Sequence, residues 1–437
     1  MRNNQNFLVD TPNEVRACSP EKTFNGLRNF DGYSETTLLT DIDPDHYGIF
    51  TGVSPSLTFI PENKVRQIRL IFIRFMQRCI DDPSSLNWKK FLLLSLVLFD
   101  NDPKNTLNQR KKTMAERIAL LLKDDWSTFT LGSLSKKIIN TEIITPEQIH
   151  KAAMRLAESG EIGKAFKKLK ADPRKIVPNI EILEKLQSKH PEPSPTDLTR
   201  EQIQAIFEYS PDNDNDIEKI IATESDIQRI LWKARSHVAH GIDHTRYEHL
   251  KQLFSVSTND PNVKEFRKLL TMIINKIIQA QVPDSFATVF KDIELLALPK
   301  TDDDIRPIGL QFIFRKIAGS VCLKRTHAFN ASHFKELQYC LQPAGAESIN
   351  LSFRAILERF PELDIWAKDA ENAFNRSSRL EALHEVRVNF RQLLPLLRMT
   401  YGTSSNAWYM GLPEGIDSIK SQEGSQQGDV LAMMMMM

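Results

Sequence analysis

Residues 293–310 read IELLALPKTDDDIRPIGL. The run Ile293-Glu294-Leu295-Leu296-Ala297-Leu298 is short and apolar and ends at Pro299. Thr301-Asp302-Asp303-Asp304 is turn material, and Ile305-Arg306-Pro307-Ile308-Gly309-Leu310 is a second extended run. Two such runs around a short polar turn are a β-hairpin signature. The hairpin carries Lys300 on one arm and Arg306 on the other. The turn brings the two cations close, and both suit phosphate, the guanidinium as a fork and the ammonium as a point charge. Taken alone, they read more simply as surface cations neutralised by the three intervening aspartates.

Downstream, the pattern predicts helices over 311–330 and 346–360 and a short strand from Asp364 to Asp369. A carboxylate at a strand end can hold a hard cation such as Mg2+, which prefers oxygen ligands, although such an aspartate more often caps a turn. Residues 421–429, SQEGSQQGD, form a polar loop whose glycines would let backbone approach a partner closely.

Upstream, residues 1–60 are rich in Asn, Asp, Pro, Gly and Ser and predict a loose or disordered leader. Helical periodicity occupies 62–122, broken at Asp82-Pro83-Ser84-Ser85, with Ser85 a candidate cap. A second helical group spans 145–190, starting at Thr145-Pro146-Glu147 and carrying Lys164, Lys167 and Lys168 around one helix. The run from His190 to Pro195 reads as a linker. Helical stripes return over 215–282, with Ile217, Ile220 and Ile221 and then Phe266, Leu269, Leu270, Ile273 and Ile274. Gly241-Ile242-Asp243 turns between them.

The 437 residues carry 57 Lys and Arg against 56 Asp and Glu, a net charge of +1, so any phosphate-binding surface must be local. The four cysteines, Cys18, Cys79, Cys322 and Cys340, form no CxxC pair, which argues against structural zinc and against a disulfide scaffold. The most apolar stretch, FLLLSLVLF at 91–99, is about half the ~20 residues a bilayer span needs and predicts a buried helix. No membrane association is expected. No targeting signal is evident, so the expected setting is intracellular, the nucleus among the candidates.

In order and spacing, these segments resemble the reverse transcriptase domain of non-LTR retrotransposons, with the similarity running from about 237 to 431. Leu298-Pro299-Lys300 and Ile305-Arg306-Pro307-Ile308 look like its fingers hairpin. Phe314-Arg315-Lys316-Ile317 looks like the helix that follows. Gln338-Tyr339 with Gly345-Ala346-Glu347 looks like its glutamine segment. Asp369-Ala370-Glu371-Asn372-Ala373-Phe374-Asn375 looks like its metal-binding box. The run from Glu423 to Leu431 looks like its template-gripping box, with Val430 where proline is usual. Gly241-Ile242-Asp243-His244 and His249-Leu250-Lys251 look like the opening of the domain, with His244 where the family usually has glycine.

The resemblance implies an α+β chain: a disordered or loose leader over 1–60, a helical N-terminal region over 61–200, then right-hand polymerase fingers and an incomplete palm over 201–437. It implies template-directed nucleotidyl transfer with two Mg2+ ions, an RNA or DNA template-primer and a deoxynucleoside triphosphate. Asp369 would ligate both metals. Lys300 and Arg306 would neutralise the triphosphate, the backbone from Ala370 through Asn372 to Ala373 would cradle it, and Phe374 would pack under the sugar. Gln338, Gly424, Gln427 and Gly428 would lie against template and primer.

The family's further box, an aromatic followed by two adjacent aspartates, does not occur after the glycine loop. Asp81-Asp82 and Asp124-Asp125 lie far upstream in helical context. The expectation is a fragment without measurable polymerase activity on its own, exposing a sheet edge or an apolar face and poorly soluble. The alternatives are a non-catalytic nucleic-acid-binding or scaffold protein made from a polymerase front end, and a helical interaction protein.

Overall fold

A computed structural model describes residues 22–23, 33–52, 56–102, 104–134, 138–139, 146–158, 160, 162–170, 178–210, 218–236, 238–255, 259–300, 304–334, 338–339, 344–366, 369–412 and 415–436. Contacts divide the chain into two compact units, residues 1–24 with 138–177 and residues 25–137 with 178–437. The smaller unit holds strands β1 (Lys22–Thr23) and β2 (Ile138–Ile139), paired antiparallel, and helices α4 (Pro146–Glu158) and α5 (Ile162–Lys170). Proline opens α4 as expected, because its missing N–H falls where a helix has no acceptor for it; Thr145 lies outside the described residues.

The larger unit begins with α1 (Glu62–Asp81), α2 (Ser85–Phe99) and α3 (Leu107–Lys123). Trp88 and every residue of 91–99 are buried, so the apolar run is a core helix, and no helix among the described residues is long and apolar enough to cross a membrane. Then come α6 (Ile180–Ser188), α7 (Arg200–Glu208), α8 (Glu224–Lys233), α9 (Tyr247–Phe254), α10 (Pro261–Ile278) and α11 (Asp284–Lys291). Capping boxes at Thr199 with Gln202 and Thr223 with Asp226 start α7 and α8. The apolar stripe of α10 is buried. Phe72 of α1 meets both Phe91 and Phe266 edge-on, at ring separations of 6.4 Å each. The buried Arg69 guanidinium donates to the Leu253 carbonyl at 2.8 Å and the Gln252 carbonyl at 3.2 Å. Helices of residues 62–99 and 247–278 therefore share one core.

Strands β3 (Ile293–Pro299) and β4 (Ile305–Leu310) form the expected antiparallel hairpin, pairing Leu298 with Arg306. Helices α12 (Ile313–His333), α13 (Gly345–Arg359), α14 (Ala373–Arg376), α15 (Arg379–Asn389) and α16 (Leu394–Tyr401) follow, then β5 (Ser405–Leu412) and β6 (Gly415–Ser421). The sheet order is β4-β3-β5-β6, with β3 and β5 parallel and the other pairs antiparallel. Buried Asp292 fastens β5 at its start, accepting from the Asn406 N–H, the Asn406 amide and the Trp408 indole. The chain is thus mixed α and β and mostly helical, with a small four-stranded sheet in the larger unit.

Four expectations need correction. Residues 33–52 and 56–60 are not loose: Leu39, Ile42, Tyr47, Phe50 and Ile60 are buried, because His244 and His249 donate to the Phe50 and Leu57 carbonyls and hold the segment down. Ser84, not Ser85, is the residue before α2. Ile220 and Ile221 precede α8, since the capping box starts the helix at Glu224; Ile217 lies outside the described residues. The described residues of 364–369 pair with no strand, and Ile365 and Trp366 are exposed rather than sheltered by a sheet. An extended segment with no neighbouring strand has no ladder to join. Exposure is continuous over 351–366, including Leu351, Phe353, Phe360 and Trp366, so an apolar surface lies here.

Candidate functional site

Lys300 closes the hairpin, its N–H donating to the Asp304 carbonyl at 2.9 Å. Its ammonium lies 3.2 Å from the Asp304 carboxylate, and Lys189, just after α6, reaches the other oxygen of that carboxylate at 2.8 Å. The Lys189 ammonium, followed by the Ile305 N–H and Lys300, holds the Asp304 carboxyl down at about 2. Neutralisation of Lys300 by the turn is therefore real for Asp304; Asp302 and Asp303 lie outside the described residues. Arg306 is exposed on β4 and makes no ion pair among the described residues.

The box beginning at Asp369 forms a turn into α14. Asp369 and Ala370 are exposed, and Ala373 and Phe374 are half-buried. Asn372 adopts φ 53°, a left-handed conformation that asparagine tolerates well. The side-chain amides of Asn372 and Asn375 both donate to the Lys189 carbonyl, at 2.7 and 2.8 Å. One residue thus ties the hairpin turn to the Asp369 box.

The glycine loop meets both. Gly424 donates to the Ser377 carbonyl at 2.8 Å and Ser425 to the Phe374 carbonyl. A Cβ on Gly424 would lie 2.2 Å from the Phe374 carbonyl oxygen, and its φ is +62°, so only glycine fits. On the far side Gly309 of β4 donates to the Gln427 carbonyl at 3.0 Å. Gly428 adopts φ +105°, where a Cβ would sit 3.2 Å from the Gly309 carbonyl oxygen.

Two buried guanidinium groups brace this loop from inside. Arg379 donates to the Gly424 carbonyl at 2.7 Å, the Ser421 carbonyl at 2.9 Å and the Ser421 hydroxyl at 2.8 Å. Burial pulls Arg379 down to about 10, which leaves it charged at neutral pH. Arg315 donates to the Lys291 carbonyl at 3.0 Å, to Gln426 Oε1 at 3.1 Å and to the Asp429 carboxylate. Both stack against Tyr401, whose hydroxyl also donates to Asp429.

The structure therefore brings together the hairpin with Lys300, the turn bearing Asn372, Ala373 and Phe374, and the loop of Gly424, Gln427 and Gly428. Gln338 stands just past α12, half-buried, with its N–H donating to the Phe334 carbonyl at 2.8 Å. Sequence reading missed Lys189, Arg379 and Tyr401 and took Arg315 only as part of a helix. Charged side chains that become buried have no local signature, and Lys189 had only its place at a helix end before a proline-rich linker.

No group of three or more His, Cys, Asp or Glu side chains suited to a metal occurs among the described residues. Asp124 caps α3 in a left-handed conformation and pairs with Arg78 and Lys90, and Asp82 caps α1. Both upstream aspartate pairs therefore contribute helix ends.

Before α9, a Cβ on Gly241 would lie 2.5 Å from the Gln311 carbonyl oxygen. His244 adopts φ 57°, so this position takes the backbone that glycine favours. Buried Asp243 has its carboxyl pushed up to about 7 by burial, against the opposing pull of the Thr245 hydroxyl and the Lys316 ammonium. The folded-state value lies above the unfolded one. Its contribution is therefore complete below about pH 4 and lost as pH rises towards 7. Asp243→Asn is expected to flatten this part of the stability profile and to gain about 2 kcal/mol near pH 8. Urea unfolding across pH checks it, and a variant less stable than the parent at pH 8 contradicts it.

No protein-family model matches the chain. No curated protein matches it either.

Proposed function

We propose that this chain carries fingers and palm elements of a reverse-transcriptase-type polymerase of the retrotransposon kind, binding a template-primer and a nucleoside triphosphate. The observation that carries the reading is the convergence of three distant boxes. Gly309 behind Arg306, the turn at 372–377 and the loop at 424–428 meet through direct backbone contacts. A chance collection of motif-like segments has no reason to meet. The positive φ of His244, where the family usually has glycine, supports it independently.

In this reading Lys300 and Arg306 take the triphosphate, Phe374 lies beneath the sugar, and Gln427 and Gly428 border the template. Mg2+ is the cofactor the resemblance implies, with Asp369 its ligand. The described residues do not fit two ions: Asp369 is an exposed carboxylate, no group of three or more His, Cys, Asp or Glu side chains suited to a metal occurs among the described residues, and two-metal chemistry needs shared ligands. No transfer step is assigned to this chain alone.

Fluorescence anisotropy with a labelled RNA template and DNA primer tests the reading. Binding should weaken steeply as salt rises. By calorimetry, Lys300→Ala with Arg306→Ala should weaken binding of the deoxynucleoside triphosphate about tenfold or more. Primer extension with Mg2+ or Mn2+ should show no synthesis. Absence of binding at low salt refutes the polymerase reading, and clear synthesis refutes the inactivity.

A further inference from the structure

Asp304 is clamped between two ammonium groups, Lys189 at 2.8 Å and Lys300 at 3.2 Å. Lys300 belongs to the hairpin, whereas Lys189 arrives from the end of α6. Only 16% of the Lys189 side chain is exposed, so its ammonium is confined to this spot. The residue is also fixed from behind, because its carbonyl accepts both Asn372 and Asn375 and its N–H closes on the Leu186 carbonyl. A carboxylate whose two oxygens each meet one ammonium group stands where a phosphate would sit between them.

We propose that Lys189 is a third triphosphate-binding cation, and that Asp304 is a resident anion holding Lys189 and Lys300 together until a triphosphate displaces it. This rests on the polymerase reading above and adds a contact from outside the hairpin. It ties the upstream helical region to nucleotide binding, since Lys189 would feel the triphosphate and pass its position to the Asp369 box through its own carbonyl.

The two sides of the ion pair then have opposite effects. A purely structural bridge weakens binding when broken from either side. A stored cation weakens binding when Lys189 is removed and strengthens it when Asp304 is neutralised. The 437-residue chain is titrated with deoxynucleoside triphosphate and with inorganic triphosphate by calorimetry, without divalent metal. Lys189→Ala is expected to weaken both ligands about tenfold, and Asp304→Asn to tighten both about threefold. Lys185→Ala, one turn earlier and paired with Glu181, should change nothing. If Lys189→Ala melts early, Lys189→Gln replaces it, and Asp304→Asn reads the idea from the other side.

Weaker binding in Asp304→Asn, or unchanged binding in Lys189→Ala, overturns the proposal. If Lys300→Ala weakens binding while Lys189→Ala does not, the polymerase reading stands and only the third cation falls. If neither the parent chain nor Asp304→Asn binds triphosphate, both fall.

Discussion

Arg315→Ala is expected to destabilise the larger unit by about 3–5 kcal/mol, the range for removing one partner of a buried ion pair. The Arg315 side chain is 1% exposed and that of Asp429 is 2% exposed. The guanidinium meets the Lys291 carbonyl, Gln426 and Asp429 at once. Without it, Asp429 keeps the Tyr401 hydroxyl and the Leu431 N–H but loses its ion pair. Asp429→Ala should destabilise comparably. Arg315→Leu with Asp429→Leu should recover part of the loss, because no uncompensated charge remains. Urea unfolding of the three variants measures this, and a loss under about 1 kcal/mol for Arg315→Ala would show that the pair does not brace the loop. The functional consequence is the larger one. The loop carrying Gln427 and Gly428 hangs on Arg315 and Arg379, so template-primer affinity should fall with the brace even below the melting temperature.

Gly424→Ala should destabilise by about 2–4 kcal/mol, combining left-handed strain with overpacking. The added methyl would be 2.2 Å from the Phe374 carbonyl oxygen and 2.3 Å from the Asn375 carbonyl carbon. Backbone cannot yield as a flexible side chain can, so the loop must leave the Asp369 box. Hydrogen exchange should accelerate at the Ser425 N–H, which the Phe374 carbonyl now accepts. Gly163→Ala in α5 makes the contrast: a Cβ there meets nothing within 4 Å, and alanine should be neutral or slightly stabilising. Equal effects at the two positions would contradict the close approach at 424.

What was legible from the chain of letters was local. Hairpin 293–310 could be read because its turn and both strands lie within one short stretch, and strand pairing between neighbours needs no other part of the chain. The buried helix at 91–99 and the stripe of α10 were legible for the same reason: burial follows periodicity and length. The reading failed where the outcome depended on a distant partner. Ile365 looks like strand but has no neighbour to pair with among the described residues, and residues 33–52 and 56–60 looked loose until His244 and His249 were found to hold them.

Sequence by itself determined the mixed α and β class, the hairpin with Lys300 and Arg306, and the glycine-bearing polar loop at 421–429. Only tertiary structure decided that these pieces meet, that Lys189 joins two of them, and that Arg315 and Arg379 are buried beneath the loop. The reason is that burial and ion pairing belong to pairs of residues far apart in the chain, and a residue's own neighbours in sequence carry no record of them.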